Sequence, residues 1–587
     1  TTVHDFTARP TLSLNLLSAA NVGGTGERTL NTQFAYQTSK LVLEGGFTYR
    51  NFQFYQLPAT TDDRLLFPLD RKLDVLGYDF YAYSLNGAFR IADNQKLSLR
   101  SYQSLIDDAA RIDRMIMGYD ISNANSTRPR AAFESNTHPL GFGAHNIAYD
   151  WITDEPFLNS LKIKAAYHRL QDARQRVDYA FGSEPFYSSD TAVRNNNFSA
   201  SDTVNNENNI SNQYLLSLDI ESSLSEALTL KWGADFSYDY VQSTRNRSNP
   251  AGLTAERLPR YPNGSIFIQT GLFAQLDHDV NKRLNLDYGL RYSRFYIDLP
   301  FEGLNSDRRF DAFNNNYQQV TASFSATYGI DRFNTLLMNA SNGFRAPNVA
   351  DLSEVGIRRS NQFQIATTGL NPEKSINIDL GYRHRGASYS LEVFTFWLHY
   401  FDRVRRQPTG NIVSDDGSFI RSGTHTLNAD EFIEVSSVNE DALNIFGVEF
   451  SGTAQLGSNI ESGLTFSYIQ GTVEQAVGGS EPVDRIPPAN GMIFIGYSPL
   501  KWLEFKPRLR YAFEQTRLSQ AEIDDARINP DGTDGFTNLQ LLVNIRPTEQ
   551  INIQLIGDNL LNQAYREHAS SLDGLQRNVT LTARYSF

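Results

Sequence analysis

An extended strand sends successive side chains to opposite faces, and this chain alternates almost everywhere. In LTLKWGADFSYDY, residues Leu228, Leu230, Trp232, Ala234, Phe236, Tyr238 and Tyr240 share one face. Thr229, Lys231, Gly233, Asp235, Ser237 and Asp239 share the other. LNLDYGLRYSRFY repeats the pattern with Leu284, Leu286, Tyr288, Leu290 and Tyr292 against Asn285, Asp287, Gly289 and Arg291. Helical periodicity is almost absent. These runs exceed the ~5–6 residues of an ordinary strand and reach the ~9–11 that a tilted bilayer crossing needs. Alternation persists to the chain end, RNVTLTARYSF, where Val579, Leu581, Ala583, Tyr585 and Phe587 lie on one face.

The connections carry a second signal. Short turns include QTSK after Tyr36, ADNQK after Ile91, NKR after Val280, IDRFN after Gly329, RGAS after His384, GSN after Leu456 and RPTEQ after Ile545. Between them lie long polar stretches: Tyr55–Gly77, Ala110–Leu140, Phe181–Asn208, Arg245–Asn263, Phe301–Asn314, Phe344–Pro372, Arg405–Asp430, Thr472–Pro488, Thr516–Asp534 and Asn562–Arg577. Long and short alternate, and only NVGGTGER on the long side is brief. An up-and-down sheet puts alternate connections at opposite ends, and transmembrane barrels have short turns at one rim and long loops at the other. Counting strands this way predicts an all-β fold, a 22-stranded antiparallel transmembrane β-barrel with short periplasmic turns and long extracellular loops. The first and last strands then begin and end on the short-turn side and pair to close the barrel, leaving no open edge.

Composition agrees where it bears on this. Only the lipid face of a barrel must be apolar, so 40% hydrophobic residues and a mean hydropathy of −0.42 suffice. The 29 Tyr and 38 Phe suit strands and membrane boundaries. No run approaches the ~20 apolar residues of a spanning helix. No secretory leader pattern stands at Thr1, so the numbering is expected to start inside or after a processed product. A soluble solenoid or propeller would show a fixed repeat period, and none is found. The absence of cysteine excludes disulfides and thiolate metal sites, and a net charge of −13 argues against nucleic acid.

Several boxes resemble the barrel domain of TonB-dependent receptors. NGFRAPNVADLSEVG (Asn342–Gly356) is similar to the FRAP box that opens an outer loop, and GLNPEKSINIDLGYR (Gly369–Arg383) to the NP box that closes it. NIFGVEFSG (Asn444–Gly452) resembles the recurrent I-x-G-V-E strand. LIGDNLLNQAYREH (Leu555–His568) resembles the N-L-x-x-x-x-Y element before the last strand. RYPNGSIFIQTGLFAQ (Arg260–Gln275) is similar to the P-D-G-S loop and its F-x-Q strand, and SAANVGG near Ser18 to the end of the first strand. The boxes occur in family order, and the resemblance covers residues 1–587 as barrel.

The resemblance implies a bacterial, Gram-negative outer-membrane location and implies that Tyr585 and Phe587 belong to the barrel-assembly signal. It also implies partners. The family carries an N-terminal plug domain and a TonB box that pairs as an added strand with TonB, while ExbB and ExbD supply force. Neither plug nor TonB box is found in this chain, so the plug is expected from elsewhere. The leading expectation is energised uptake of a large scarce nutrient, such as a ferric siderophore or similar chelate. The alternative is a plugless, non-transporting scaffold in an assembly, secretion or adhesion complex with surface lipoproteins. Lipid and lipopolysaccharide are the expected surroundings.

Candidate site residues are few. Arg345 in the FRAP box reads as a ligand or plug contact, or more plainly as a structural salt bridge or cap. Arg358 and Arg359 form a basic spot on the same loop, fit for an anionic chelate or lipopolysaccharide phosphate, or simply solvated. Arg405 and Arg406 form a similar pair in VRRQ. Tyr261 and Phe267 read as boundary girdle, and the Asn-rich Arg194–Asn209 as a mobile outer loop. Haem receptors of the family carry a histidine between the FRAP and NP boxes, and this chain has none between Phe344 and Asn371. The nine histidines show no metal-ligand spacing; His145, His168 and His399 are expected to face the lumen or an interface. No Ser-His-Asp arrangement stands out, so neither cofactor nor enzymatic activity is expected.

Overall fold

The computed structural model describes residues 6, 11–59, 72–73, 76–111, 133–155, 157–178, 203–249, 251–257, 259–301, 312–357, 362–414, 417–423, 427, 431–440, 442–474, 479–525 and 527–586. Twenty-two strands form the wall. They are β1 (Thr11–Val22), β2 (Arg28–Gln37), β3 (Leu41–Phe52), β4 (Tyr78–Ala92), β5 (Gln95–Asp107), β6 (Phe133–Glu155), β7 (Leu158–Asp178) and β8 (Thr203–Ser225). Next come β9 (Leu228–Ser248), β10 (Ser265–Asn281), β11 (Leu284–Leu299), β12 (Phe313–Gly329), β13 (Asn334–Arg345), β14 (Glu373–Arg385) and β15 (Tyr389–Phe401). The last are β16 (Leu443–Gln455), β17 (Ile460–Glu474), β18 (Asn490–Leu500), β19 (Leu503–Ala512), β20 (Phe536–Ile545), β21 (Ile551–Asp558) and β22 (Asn578–Ser586). Each pairs antiparallel with its neighbours in sequence, and β22 pairs with β1 from Ser586↔Asn15 to Val579↔Val22. The barrel is closed. No helix among the described residues is long and apolar enough to cross a membrane; the crossing elements are strands.

The two faces sort as the alternation predicts. Leu216, Trp232, Phe236, Leu272, Leu290 and Val320 are exposed on the outer face, where lipid replaces water. Their alternating neighbours point inward and are polar. Among them Arg291 grips Asp235 two strands away through two hydrogen bonds of 2.7 and 2.8 Å. Gly271 lies between them on β10, and a Cβ there would sit 2.1 Å from an Arg291 Nη. The outer aromatic girdle is visible at Tyr167, Tyr214 and Tyr238, whose rings follow one another at 5.2 and 6.3 Å. His145 and His399 share this outer face with Tyr167 and Trp397, whereas His168 faces the lumen and contacts Gln213.

Phe267 corrects an expectation. It points inward and packs with Phe295 at 5.8 Å, not into the girdle. Tyr261 lies in the loop before β10, its N–H on the inward-facing Ser243. Parity decides this: Leu272 is outward on β10, so odd residues of that strand face the lumen.

Several stretches read as loops are strands. The strands β6, β7, β8 and β9 have 23, 21, 23 and 21 residues. At ~3.3 Å per residue they are roughly 70 Å long, far more than a bilayer crossing needs. Their outer ends take in parts of 110–140, 181–208 and 245–263. Within the Asn-rich stretch, Thr203–Asn209 belongs to β8 and pairs with β7 and β9, so it is no loose loop; residues 194–202 lie outside the described residues. The composition rule misled here because a strand above the membrane needs no apolar lipid face. Its backbone ladder and the buried amide of Asn209, which accepts from the Ser243 hydroxyl and donates to the Asp172 carbonyl, hold it.

The stretch Arg405–Asp430 is likewise not a plain loop. A five-stranded sheet stands on the long-loop end, built from Gly356–Ile357, Gln362–Gln364, Arg403–Val413, Phe419–Ser422 and Phe432–Glu440. Its core is Val355, Phe363, Val413 and Phe432.

Candidate functional site

The long-loop rim carries three folded knots. The first centres on Arg345, the last residue of β13. Asn348 caps the short helix α1 (Val349–Ser353), and Asp351 returns a bond to the Asn348 N–H, a reciprocal capping box. That fixes the Asp351 carboxylate beside Arg345, whose Nη1 it meets at 2.6 Å. The Arg345 Nε bonds Glu373, the first residue of β14. Glu373 also accepts from the Tyr400 hydroxyl at 2.9 Å and the Val404 N–H at 2.7 Å. The FRAP and NP boxes are thus tied by one ionic clamp. Beneath it Ile297, Leu299, Leu352 and Leu370 form a dry cluster on the inner wall, closed by Phe301, Tyr317 and Ala346.

The second knot joins β8, β9 and three loops. Arg260 reaches Glu207 through Nη2 at 2.9 Å and Nε at 3.1 Å, and Glu354 through Nη1 at 3.5 Å. Arg245 approaches Glu207 at 3.6 Å. Arg406 approaches Glu354 at 3.7 Å and bonds the Gln364 side-chain oxygen at 2.9 Å. Burial pulls the Arg260 guanidinium down, but Glu207 outweighs it and the net direction is up. For Arg406 burial wins, and the guanidinium sits below its ordinary value despite Asp351.

The third knot holds His568 between Glu522 and Thr533, at 2.9 and 3.0 Å. Ser519 caps the short helix α2 (Gln520–Ile523), and Glu522 completes its capping box while accepting the Arg485 N–H at 2.8 Å. The order hydroxyl, imidazole, carboxylate resembles a nucleophilic triad, but His568 and Glu522 are only 3% and 2% exposed. A group so sealed reaches no substrate, and the arrangement staples three loops together.

The residues singled out from the sequence fall as follows. Arg345 lies in the clamp. Arg405 and Arg406 lie on the strand Arg403–Val413, and Arg406 enters the second knot. Arg358 and Arg359 lie outside the described residues, as does Phe587. Tyr585 is on the lipid face of β22, opposite Leu16 and Ile551. Sequence reading missed Glu207, Arg260, Glu354 and Glu373, the partners that organise the first two knots. Glu373 sits inside the NP box and Arg260 heads the RYPNGS box, so the boxes marked their places without their roles. Among the described residues no group of three or more His, Asp or Glu is placed to hold a metal ion.

The family model for "TonB dependent receptor-like, beta-barrel" matches residues 82–560. The chain belongs to that family. TonB-dependent receptor barrels are integral proteins of the outer membrane, and the family are transporters that work with a plug domain and the TonB system. Solved structures share the fold. The copper transporter OprC superposes with a TM-score of 0.76 at 12% identity, over 100% of this chain and 81% of that one. The FrpB iron transporter from Neisseria meningitidis (F3-3 variant) gives 0.68 at 13%, over 98% and 81%. The ferric yersiniabactin uptake receptor FyuA from Yersinia pestis gives 0.64 at 14%, over 100% and 81%. No curated protein sequence matches this TonB-dependent receptor barrel.

Proposed function

We propose that this barrel is the wall and outer receptor of an energised uptake system for a large scarce nutrient, such as a ferric siderophore or similar chelate. A 22-stranded lumen is too wide for its own side chains to fill, and transporters of this size hold a plug. The plug is a further domain or a separate chain, and TonB with ExbB and ExbD supplies the work. The observation that supports ligand capture is the asymmetry of the rims. Among the described residues, the long-loop end is built into folded, ionically braced knots around the lumen mouth, while the other end has tight turns. Rigid loops of this kind hold a recognition surface without paying its ordering entropy at each encounter.

The test is accumulation of radioactive iron from a panel of ferric chelates by cells with and without this receptor. Uptake that needs the receptor and collapses when TonB or the proton gradient is removed is the expected result. Receptor-dependent phenotypes that persist without TonB, together with stable retention of surface lipoproteins, would overturn it in favour of a scaffold.

A further inference from the structure

We propose that the inner wall at the outer ends of β7–β9 is a binding site for a multiply charged anion, of the carboxylate or phosphate class. The proposal deepens the uptake reading, on which it rests for its purpose though not for its chemistry. Register brings the charges together: Arg174 faces Glu207, and Glu207 faces Arg245. The Arg257 N–H bonds the Arg245 carbonyl at 2.9 Å, which adds Arg257 to the row. Arg176, Asn205 and Arg247 form the next row outward. All lie on the lumen face, by the parity that puts Leu216 and Phe236 outside. Arg174 is seven residues beyond the girdle residue Tyr167, about 23 Å along the strand, so the cluster stands clear of the bilayer.

Among the described residues, cations exceed anions here. Asp172 is taken by Arg174 in a two-point pair of 2.9 and 2.5 Å. Arg245, Arg260 and Arg406 then share Glu207 and Glu354. Among the described residues the Arg257 side chain has no partner, and its Nε is buried without a hydrogen bond. The Arg245 Nε is buried and lacks one too, since its 3.6 Å approach to Glu207 is an ion-pair contact only. Elsewhere on this rim Arg403 and Arg510 each meet a carboxylate of their own, Asp484 and Glu567. A buried donor left unbonded costs free energy, and crowded like charges cost more. This local excess is opposite in sign to the chain's net charge of −13. Planar guanidiniums suit forked oxyanion contacts, so an anion with several carboxylate or phosphate oxygens can meet the part of the Arg245 and Arg257 guanidiniums that stays open to the lumen.

The test is calorimetric titration of the full-length receptor, purified in detergent at about 50 mM salt, with citrate and separately with inorganic pyrophosphate. Saturable binding of at least one anion, weakening as salt rises, is expected. Arg257→Gln and Arg245→Gln should each weaken it at least tenfold, while Arg510→Gln changes it less than twofold. Heat-modifiable gel mobility checks that each variant is a folded barrel. Absence of saturable binding to the wild type overturns the proposal, as does wild-type affinity in a folded Arg257→Gln variant. The titration involves neither TonB nor an energised membrane. Failure of the uptake reading therefore leaves its result intact, and failure of anion binding leaves TonB-dependent uptake to be decided separately.

Discussion

At the scale of the residue, the rim depends on a few carboxylates that each serve several donors. Glu373 holds Arg345, Tyr400 and the Val404 amide, and Glu522 holds His568 and the amides of Ser519 and Arg485. Burial pushes the Glu522 carboxyl up, but His568 and the two amides outweigh it, so it sits below its ordinary value of 4.5. A depressed folded value means stability that is fully present above the unfolded value and lost as pH falls through the folded one. Glu522→Gln should therefore loosen the staple at neutral pH by about 2 kcal/mol, the scale of a hydrogen bond to a charged group. Hydrogen exchange at the Arg485 amide should speed up roughly thirty-fold. As pH falls through the folded value, which lies below 4.5, the wild type should converge on the variant. Equal exchange in both proteins at neutral pH would remove Glu522 from this role. The capping boxes at Asn348 and Ser519 join residues three apart, but the partners Glu373 and His568 were not legible, because each is brought in by a different strand or loop.

At the scale of the element, the strand is where sequence and structure agree most closely. Period-2 alternation assigns each residue to lipid or lumen, and the exposed apolar side chains Tyr214, Leu216, Leu224, Trp232 and Phe236 of β8 and β9 follow it. Leu218 and Ser217 are neighbours on opposite faces of β8, each in register with β7 and β9. Leu218→Arg places a charge toward lipid and should cost about 2–4 kcal/mol, whereas Ser217→Arg points into the polar lumen and should cost little. Urea unfolding of the two variants in bilayers measures the difference, and equal losses would contradict the face assignment. Strand ends were harder to read. The polar outer ends of β6–β9 look like loop because composition reports the surroundings of a strand, and above the bilayer both faces meet polar surroundings.

At the scale of the whole molecule, closure is the decisive interaction. The seam joins residues more than 500 positions apart, and side chains reinforce it at its outer end: Asn21 donates to Asn578 and Thr580 at 2.9 Å, and its oxygen accepts from the Thr25 amide at 2.8 Å. Without β22, both β1 and β21 present unpaired edges within the bilayer, which hydrocarbon does not tolerate. Deleting the β22 segment should leave no heat-modifiable, protease-resistant barrel in the outer membrane. A folded, membrane-inserted product from that deletion would show that the seam is dispensable.

What the chain determines by itself is its architecture. Alternation sets the faces, the alternating lengths of its connections set the two rims, and their count sets a closed wall of 22 strands. These are local signals, because a strand's face and a turn's length depend on residues next to one another. What only the tertiary structure decided is the chemistry of the mouth. The Arg345–Glu373 clamp, the shared carboxylates Glu207 and Glu354, and the unsatisfied Arg257 arise from residues separated in sequence by up to 94 positions, as in Arg260 and Glu354. Charges act through space, and the register of the closed sheet with the folding of its loops chooses which charges meet.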